Sequence, residues 1–203
     1  MITEKILKKH DIHPLLQERW SPRVFSDQAV QETEIQLLLE AGRWAPSSSN
    51  VQPWRIIWGA KGGETYNRIF ECLDPFNQKW AGNAPVLMLA AFKKTKAEGK
   101  ENFHALHDLG AFSAHLTFQA QSMGIAVHQM AGVKHEEAHA EFEFTNDYHV
   151  ATALAIGYYG GDSSDLPEDL QKIETPTSER KTRSAFAFNG NFHDDPKNTS
   201  EEN

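Results

Sequence analysis

Three short stretches of the chain concentrate side chains that can hold an anion or the edge of a ring. The first is Arg19-Trp20-Ser21-Pro22-Arg23, with two guanidinium groups and a hydroxyl within five residues. Pro22 stiffens the turn and removes one backbone donor. In extended backbone, side chains alternate between faces, so Arg19, Ser21 and Arg23 would share one. Arginine forks match the oxygens of a phosphate or a carboxylate. The second stretch is Ala45-Pro46-Ser47-Ser48-Ser49-Asn50-Val51-Gln52-Pro53-Trp54. Its amides, Asn50 and Gln52, each present a donor and an acceptor side by side, the pattern that a pyrimidine-like ring edge requires. The third is Arg180-Lys181-Thr182-Arg183, a strong basic run in a chain of net charge -8. Each stretch also has a plainer reading: a basic turn before a helix, a polar connector, and a solvated charged face.

A fourth pattern points to other chemistry. His135-Glu136-Glu137-Ala138-His139 fits the HExxH spacing. On a helix that spacing puts two imidazoles on one face around a zinc ion, with the glutamate as base. Glu137 places a charge between the ligands, and no third ligand is evident, so a solvated surface helix is the stronger reading. His104 and His107 are read as surface or core residues. Cys72 is the single cysteine, which rules out an internal disulfide and fits a small apolar filler on a helix.

The elements that must position these groups follow from periodicity. Residues 1–18 read as helical or irregular, broken by Pro14. A helix is expected over Thr33–Trp44. Thr33 and Gln36 have capping-box spacing, and Ile35, Leu38, Leu39 and Gly42 mark one face. Pro46 ends it. Trp54–Trp58 reads as a strand and Glu64–Leu73 as a helix. Pro85–Phe92 is apolar without alternation, as a buried strand would be. The longest element is a helix over Asn102–Met123, with a stripe of Leu106, Leu109, Ser113, Leu116, Ala120 and Met123 suited to helix-on-helix packing. Gly110, Ala111 and Ala114 beside that stripe would admit a close partner. Ile125–Gln129 reads as a strand, Val133–Phe142 as a charged helix and Val150–Tyr159 as another buried strand. The predicted class is α+β, a mixed sheet flanked by helices, with one domain over residues 1–188 and a polar tail over 189–203. No GxGxxG follows a strand, so a Rossmann nucleotide site is not indicated.

At 203 residues, with 39% hydrophobic and 24% charged, the chain is long enough for a substantial core and has a globular composition. Its sequence pI is near 5.7. An acidic surface disfavours nucleic acid and anionic membranes as partners, so any anionic ligand needs a local cluster of cations. The opening stretch MITEKILKKHDIHP lacks the apolar core of a signal peptide, and the cytoplasm is the expected location.

Taken in order, the motifs resemble the nitroreductase family. The resemblance rests on Arg19–Phe25 (RWSPRVF) and on Gly42–Arg55 (GRWAPSSSNVQPWR). It is supported by Asn77-Gln78-Lys79-Trp80 before Ala84-Pro85-Val86, by His107-Asp108-Leu109-Gly110, by Gly124–Gly132 (GIAVHQMAG) and by Glu179-Arg180-Lys181. It covers roughly residues 13–185.

The resemblance implies an FMN-dependent oxidoreductase, a homodimer holding FMN at the subunit interface, with the long helix central to that interface. It implies that Arg19, Trp20, Ser21 and Arg23 of one subunit meet the phosphate, ribityl chain and pyrimidine edge. Pro46, Ser47, Ser48 and Asn50 would reach the same flavin from the other subunit. Gln129, Met130, Ala131 and Gly132 would line a ring face, Arg180 would pair with the phosphate, and Asn77 is a further candidate for the pyrimidine edge. NADH or NADPH would visit as co-substrate, passing hydride through flavin N5 to a nitroaromatic, a quinone or a similar small acceptor by ping-pong kinetics. No protein side chain then acts as general base, and no metal is called for. Arg23 is the candidate cation beside the flavin N1–O2 edge, where reduction adds negative charge. Ala131 stands where many relatives carry an acidic residue, and Thr182 where others carry proline. A non-catalytic FMN-binding protein and an HExxH zinc peptidase are the alternatives. The arginines from distant parts of the chain should meet around one phosphate.

Overall fold

A computed structural model describes residues 12–176 and 179–192 of the chain. The first eleven residues and the end of the expected tail, from 193 on, lie outside the described residues, as do 177 and 178.

Four strands form one sheet: β1 (Trp54–Ala60), β2 (Val86–Lys93), β3 (Ile125–Met130) and β4 (Tyr148–Tyr158), in the order β1-β2-β4-β3. Every pairing among them is antiparallel, where the sequence suggested a mixed sheet. An unbroken apolar strand reports burial on both faces and not strand direction. Along β2, Leu87, Leu89 and Ala91 enter one core cluster, while Val86, Met88 and Ala90 enter the other. The sheet is therefore the middle of three layers. One face carries α2 (Glu32–Arg43) and α5 (Ala105–Ser122); the other carries α3 (Glu64–Glu71), α4 (Pro75–Ala81), α6 (His135–Glu141) and α7 (Glu168–Gln171). A short α1 (Pro14–Glu18) precedes them.

Local chemistry accounts for the element ends. Pro14 opens α1 at its first turn, where a missing N–H costs nothing, so it starts a helix instead of breaking one. The capping pair of α2 lies earlier than the sequence suggested. Glu34 reaches back 2.8 Å to the backbone N–H of Gln31, in place of the Thr33–Gln36 pair. The helix α4 was not anticipated, although Asp74 caps it by accepting from the Asn77 N–H and Pro75 occupies its first turn.

The two helices of the α2–α5 layer approach closely at Gly42, where an added Cβ would lie 2.5 Å from the Phe112 ring. Along α5, Leu109, Ser113, Leu116 and Ala120 are buried as the stripe predicts, with Met123 packed against the same core. Leu106 departs from it and is 60% exposed. In the first turn of α5 the core-facing positions are taken by Ala105, Asp108 and Leu109, which turns Leu106 outward. Leu106 and the open Gly110 share an outward face. Among the described residues no helix is long and apolar enough to cross a membrane.

Candidate functional site

The stretch around Arg19–Arg23 is an extended arm leaving α1, half-buried in most of its length. Arg19 donates through Nη1 to Ser21 Oγ at 3.2 Å. This places the cation and hydroxyl on one side, as alternation requires. Trp20 stacks on Tyr159, with ring centroids 6.3 Å apart and planes 22° from parallel. Burial pushes the Tyr159 phenol above its ordinary value, and its hydroxyl lies 2.6 Å from Gln121 Oε1 near the C-terminal end of α5. Arg23 is engaged twice by Glu174. Its backbone N–H donates at 2.7 Å and its Nη1 at 3.3 Å. The Glu174 side chain is almost fully enclosed, so this is a charge pair taken largely out of water. Beneath the arm, Pro22 is buried and its carbonyl accepts from His128 on β3 at 2.9 Å.

The polar loop of residues 46–52 sits elsewhere. Asp108, buried in the first turn of α5, accepts from the Ser48 N–H at 3.1 Å. Ser47 Oγ accepts from the Gln52 N–H at 3.0 Å. Between these anchors Ser49, Asn50 and Gln52 all have positive φ, near +50°. Three non-glycine residues in that region within four positions constitute stored backbone strain, held in place by the anchors at each end. Pro46 and Asn50 are exposed, and Ser47 and Ser48 half-buried.

The end of β3 supplies the third part. Strand alternation sends His128 to the α4 face, where its ring lies 4.4 Å from that of Trp80. It sends Gln129 to the α5 face, where Nε2 donates to Thr117 Oγ1 at 3.2 Å. Met130 is buried, and its carbonyl accepts from Thr152 at 2.7 Å. Ala131 is exposed and Gly132 half-buried. The Gly132 carbonyl accepts from the Asp74 N–H and from Asn77 Nδ2. Asn77 is thus buried and occupied in holding the β3–α6 turn. A side chain at 132 would have to displace Asp74 or Asn77, because a Cβ would lie 2.0 Å from Asp74 Oδ2 and 2.6 Å from Asn77 Nδ2.

Arg180 is exposed and donates to its neighbour's carbonyl at Glu179. The described contacts gather Arg19 and Arg23 near His128 but do not bring Arg180 to them. Glu174, six residues earlier, fastens the start of that segment to the arm.

Two helical ends separate the arm from the loop. The loop is tied to Asp108 at the start of α5, and the arm reaches Gln121 near its end through Tyr159. At 1.5 Å rise per residue those points are roughly 20 Å apart along the axis. One chain does not assemble arm and loop into a single pocket.

The HExxH histidines are committed differently. His135 Nδ1 pairs with the Val150 carbonyl at 2.8 Å, and His139 Nε2 with that of Thr145 at 3.1 Å. Among the described residues no group of three or more metal-binding side chains is gathered.

A family model described as the nitroreductase family matches residues 16–72 and 61–158. The chain belongs to the nitroreductase family. A crystal structure of an oxidoreductase containing FMN is 33% identical, covers 91% of this chain and 94% of its own, and superposes with a TM-score of 0.85. A Streptomyces coelicolor protein named for NADH dehydrogenase/NAD(P)H nitroreductase is 25% identical over 157 residues, 68% of this chain and 77% of that protein. A nitroreductase family protein of Streptococcus pneumoniae shares the fold at a TM-score of 0.70 and 14% identity, covering 87% of this chain and 98% of its own.

The structure also marks residues that sequence reasoning did not assign to the site: His128, Glu174, Asp108, Trp80 and Tyr159. Glu174 lies 151 positions from its partner Arg23, so no local spacing could link them. Asp108 and His128 stand inside motifs that the family resemblance rests on, but their partners appear only in three dimensions.

Proposed function

We propose that this chain is an FMN-dependent NAD(P)H oxidoreductase whose cofactor is held between two copies. The donor set fits the cofactor. Arg19 and Ser21 converge on one side of the arm, a pair suited to a doubly charged phosphate in an otherwise anionic protein. The observation that carries the shared site is the separation of arm and loop to opposite ends of α5. Two copies packed about a twofold axis with their α5 helices antiparallel set one chain's loop beside the other chain's arm. The outward face of α5 is built for such a contact, with Leu106 60% exposed beside the open Gly110, and Phe103, just before the helix, is 83% exposed.

In this reading Arg19, Ser21 and, delivered from the segment beyond Glu174, Arg180 hold the phosphate. Trp20 and Arg23 flank the ribityl chain and pyrimidine edge, and Asn50 with Pro46, Ser47 and Ser48 approaches from the partner. Gln129, Met130, Ala131 and Gly132 form the wall beside the ring. Asn77 acts through Gly132 by fixing that turn. FMN, when bound, supplies the two-electron chemistry, taking hydride from a nicotinamide and handing it to an acceptor. The protein's part is to bind, orient and leave one ring face open. Donor and acceptor use that face in turn, which gives ping-pong kinetics and tolerance of varied nitroaromatic or quinone acceptors.

The test is direct. Purified protein should be yellow, release FMN on denaturation and bleach with NADH or NADPH. Bound flavin that neither nicotinamide reduces identifies a non-catalytic binding protein instead. Leu106→Glu should yield a folded monomer that has lost its flavin. A monomer that retains FMN as tightly as wild type would refute the shared site.

A further inference from the structure

The geometry points to His128 as a positioning residue that locks the cofactor-binding arm to the strand leading into the flavin-facing turn, through its Nδ1–H bond to the Pro22 carbonyl. This rests on the cofactor reading above and adds a residue to it. His128 does not face the ring. Strand alternation turns it to the opposite side of the sheet from Gln129, against Trp80. Its reach is instead to the arm, 106 positions away in sequence, at 2.9 Å. Pro22 lies between the two arginines, so a tether at its carbonyl fixes the backbone that aims both of them. Because β3 runs directly into Gln129–Gly132, the same side chain joins the anion-binding part of the site to the ring-binding part.

The chemistry of the bond is one-directional. A carbonyl only accepts, so Nδ1 must carry the proton. A neutral imidazole with its proton on Nδ1 meets this need. Two cations, Arg19 and Arg23, bear on the ring from the arm, and Glu174 faces Arg23 from the C-terminal side. From α4 the ring meets the uncharged Trp80. A third positive charge, on the imidazole itself, would push the arm's guanidinium groups away from the geometry that the neutral ring holds.

Two substitutions separate tether from filler. His128→Asn keeps a side-chain N–H near the position of Nδ1, whereas His128→Phe keeps the ring's bulk and loses the donor. FMN dissociation constants, read from flavin fluorescence, should rise on the order of tenfold for Phe, about the worth of one net hydrogen bond. The Asn variant should stay within about threefold of wild type. Saturating FMN should restore most of the Phe variant's turnover, because the lesion lies in cofactor retention and not at the reacting atoms. Backbone amide exchange at residues 19–21 and 23 should quicken in the Phe variant even without FMN. Wild-type ring ¹⁵N shifts at neutral pH should report a protonated Nδ1 and an unprotonated Nε2. A Phe variant with wild-type affinity, an Asn variant as weak as Phe, or the opposite tautomer overturns the assignment. If wild type itself binds no FMN, the cofactor reading falls and takes this one with it; tight wild-type binding unchanged in Phe removes this one alone.

Discussion

At the scale of single residues, the site depends on cations placed in a protein that is otherwise negative. Among the described residues Arg19 bonds to Ser21 and pairs with no carboxylate, whereas Arg23 is matched by Glu174. Arg19 is therefore the freer charge for a phosphate, and Arg180 the one that must be delivered to it. Charge-assisted hydrogen bonds contribute about 1.5–3 kcal/mol each, so Arg19→Ala and Arg180→Ala should each weaken FMN retention by roughly ten- to a hundredfold. Flavin content after gel filtration reads this, and wild-type content in both variants removes the phosphate assignment. His128 adds a pH dependence. Burial first, then Arg23 and Arg19, push its pKa down to about 4 from an ordinary 6.5, against the pull of the Pro22 carbonyl. A basic group with a depressed folded pKa favours folding while neutral. Its contribution is whole above about 6.5 and is lost as pH falls toward 4, amounting at most to about 3 kcal/mol by proton linkage. The stability gap between wild type and His128→Asn, from urea midpoints at pH 7.5 and 4.5, should narrow in acid. A gap independent of pH across that window excludes His128 as its source.

At the scale of elements, the site is a set of ends: an arm after α1, a strained loop after α2 and a turn after β3. Each is fixed by a contact with a neighbouring element. Gly132 shows how tight one of these is, since its turn is gripped by Asp74 and Asn77 from α4. Gly132→Ala should cost about 1–3 kcal/mol of stability by overpacking, with the loss concentrated in flavin affinity as the turn shifts. Equal Tm and flavin binding in the variant would show that the turn gives way freely. The helices and strands themselves were legible from periodicity because burial imposes period on sequence. Eight of the anticipated elements fall within a few residues of their expected bounds, and α5 is the clearest. The helix α4 was missed although Asp74-Pro75 announces it, because only seven residues follow before Gly82 and no apolar stripe develops. Strand direction was not legible: β2 and β4 bury both faces, and that erases the alternation from which an antiparallel sheet is ordinarily recognised. The anchors Asp108, His128 and Glu174 were illegible for another reason. A hydrogen bond across 60 to 151 positions leaves no mark in local spacing.

At the scale of the whole molecule, the exposed apolar residues and the divided site point to one assembly. Leu37 and Trp44 on the α2 side and Phe103 and Leu106 by α5 leave four large apolar side chains more than half exposed on the same layer. Exposed apolar surface concentrated in this way marks a face for association. If two copies share it with their α5 helices antiparallel, each pocket takes its arm from one chain and its loop from the other. That arrangement makes a prediction no single-chain pocket can satisfy. Arg19→Glu damages the arm, and Asn50→Asp, which tolerates positive φ and keeps the loop's shape, adds an anion to it. Each homodimer should lose most of its flavin. A heterodimer carrying one change on each chain would concentrate both lesions in one pocket and leave the other intact, retaining about one FMN per two chains. With separately tagged chains, tandem affinity purification and flavin absorbance give the count. A heterodimer as empty as the two homodimers would mean that arm and loop of the same chain serve the same pocket, and the long axis of α5 would no longer divide the site.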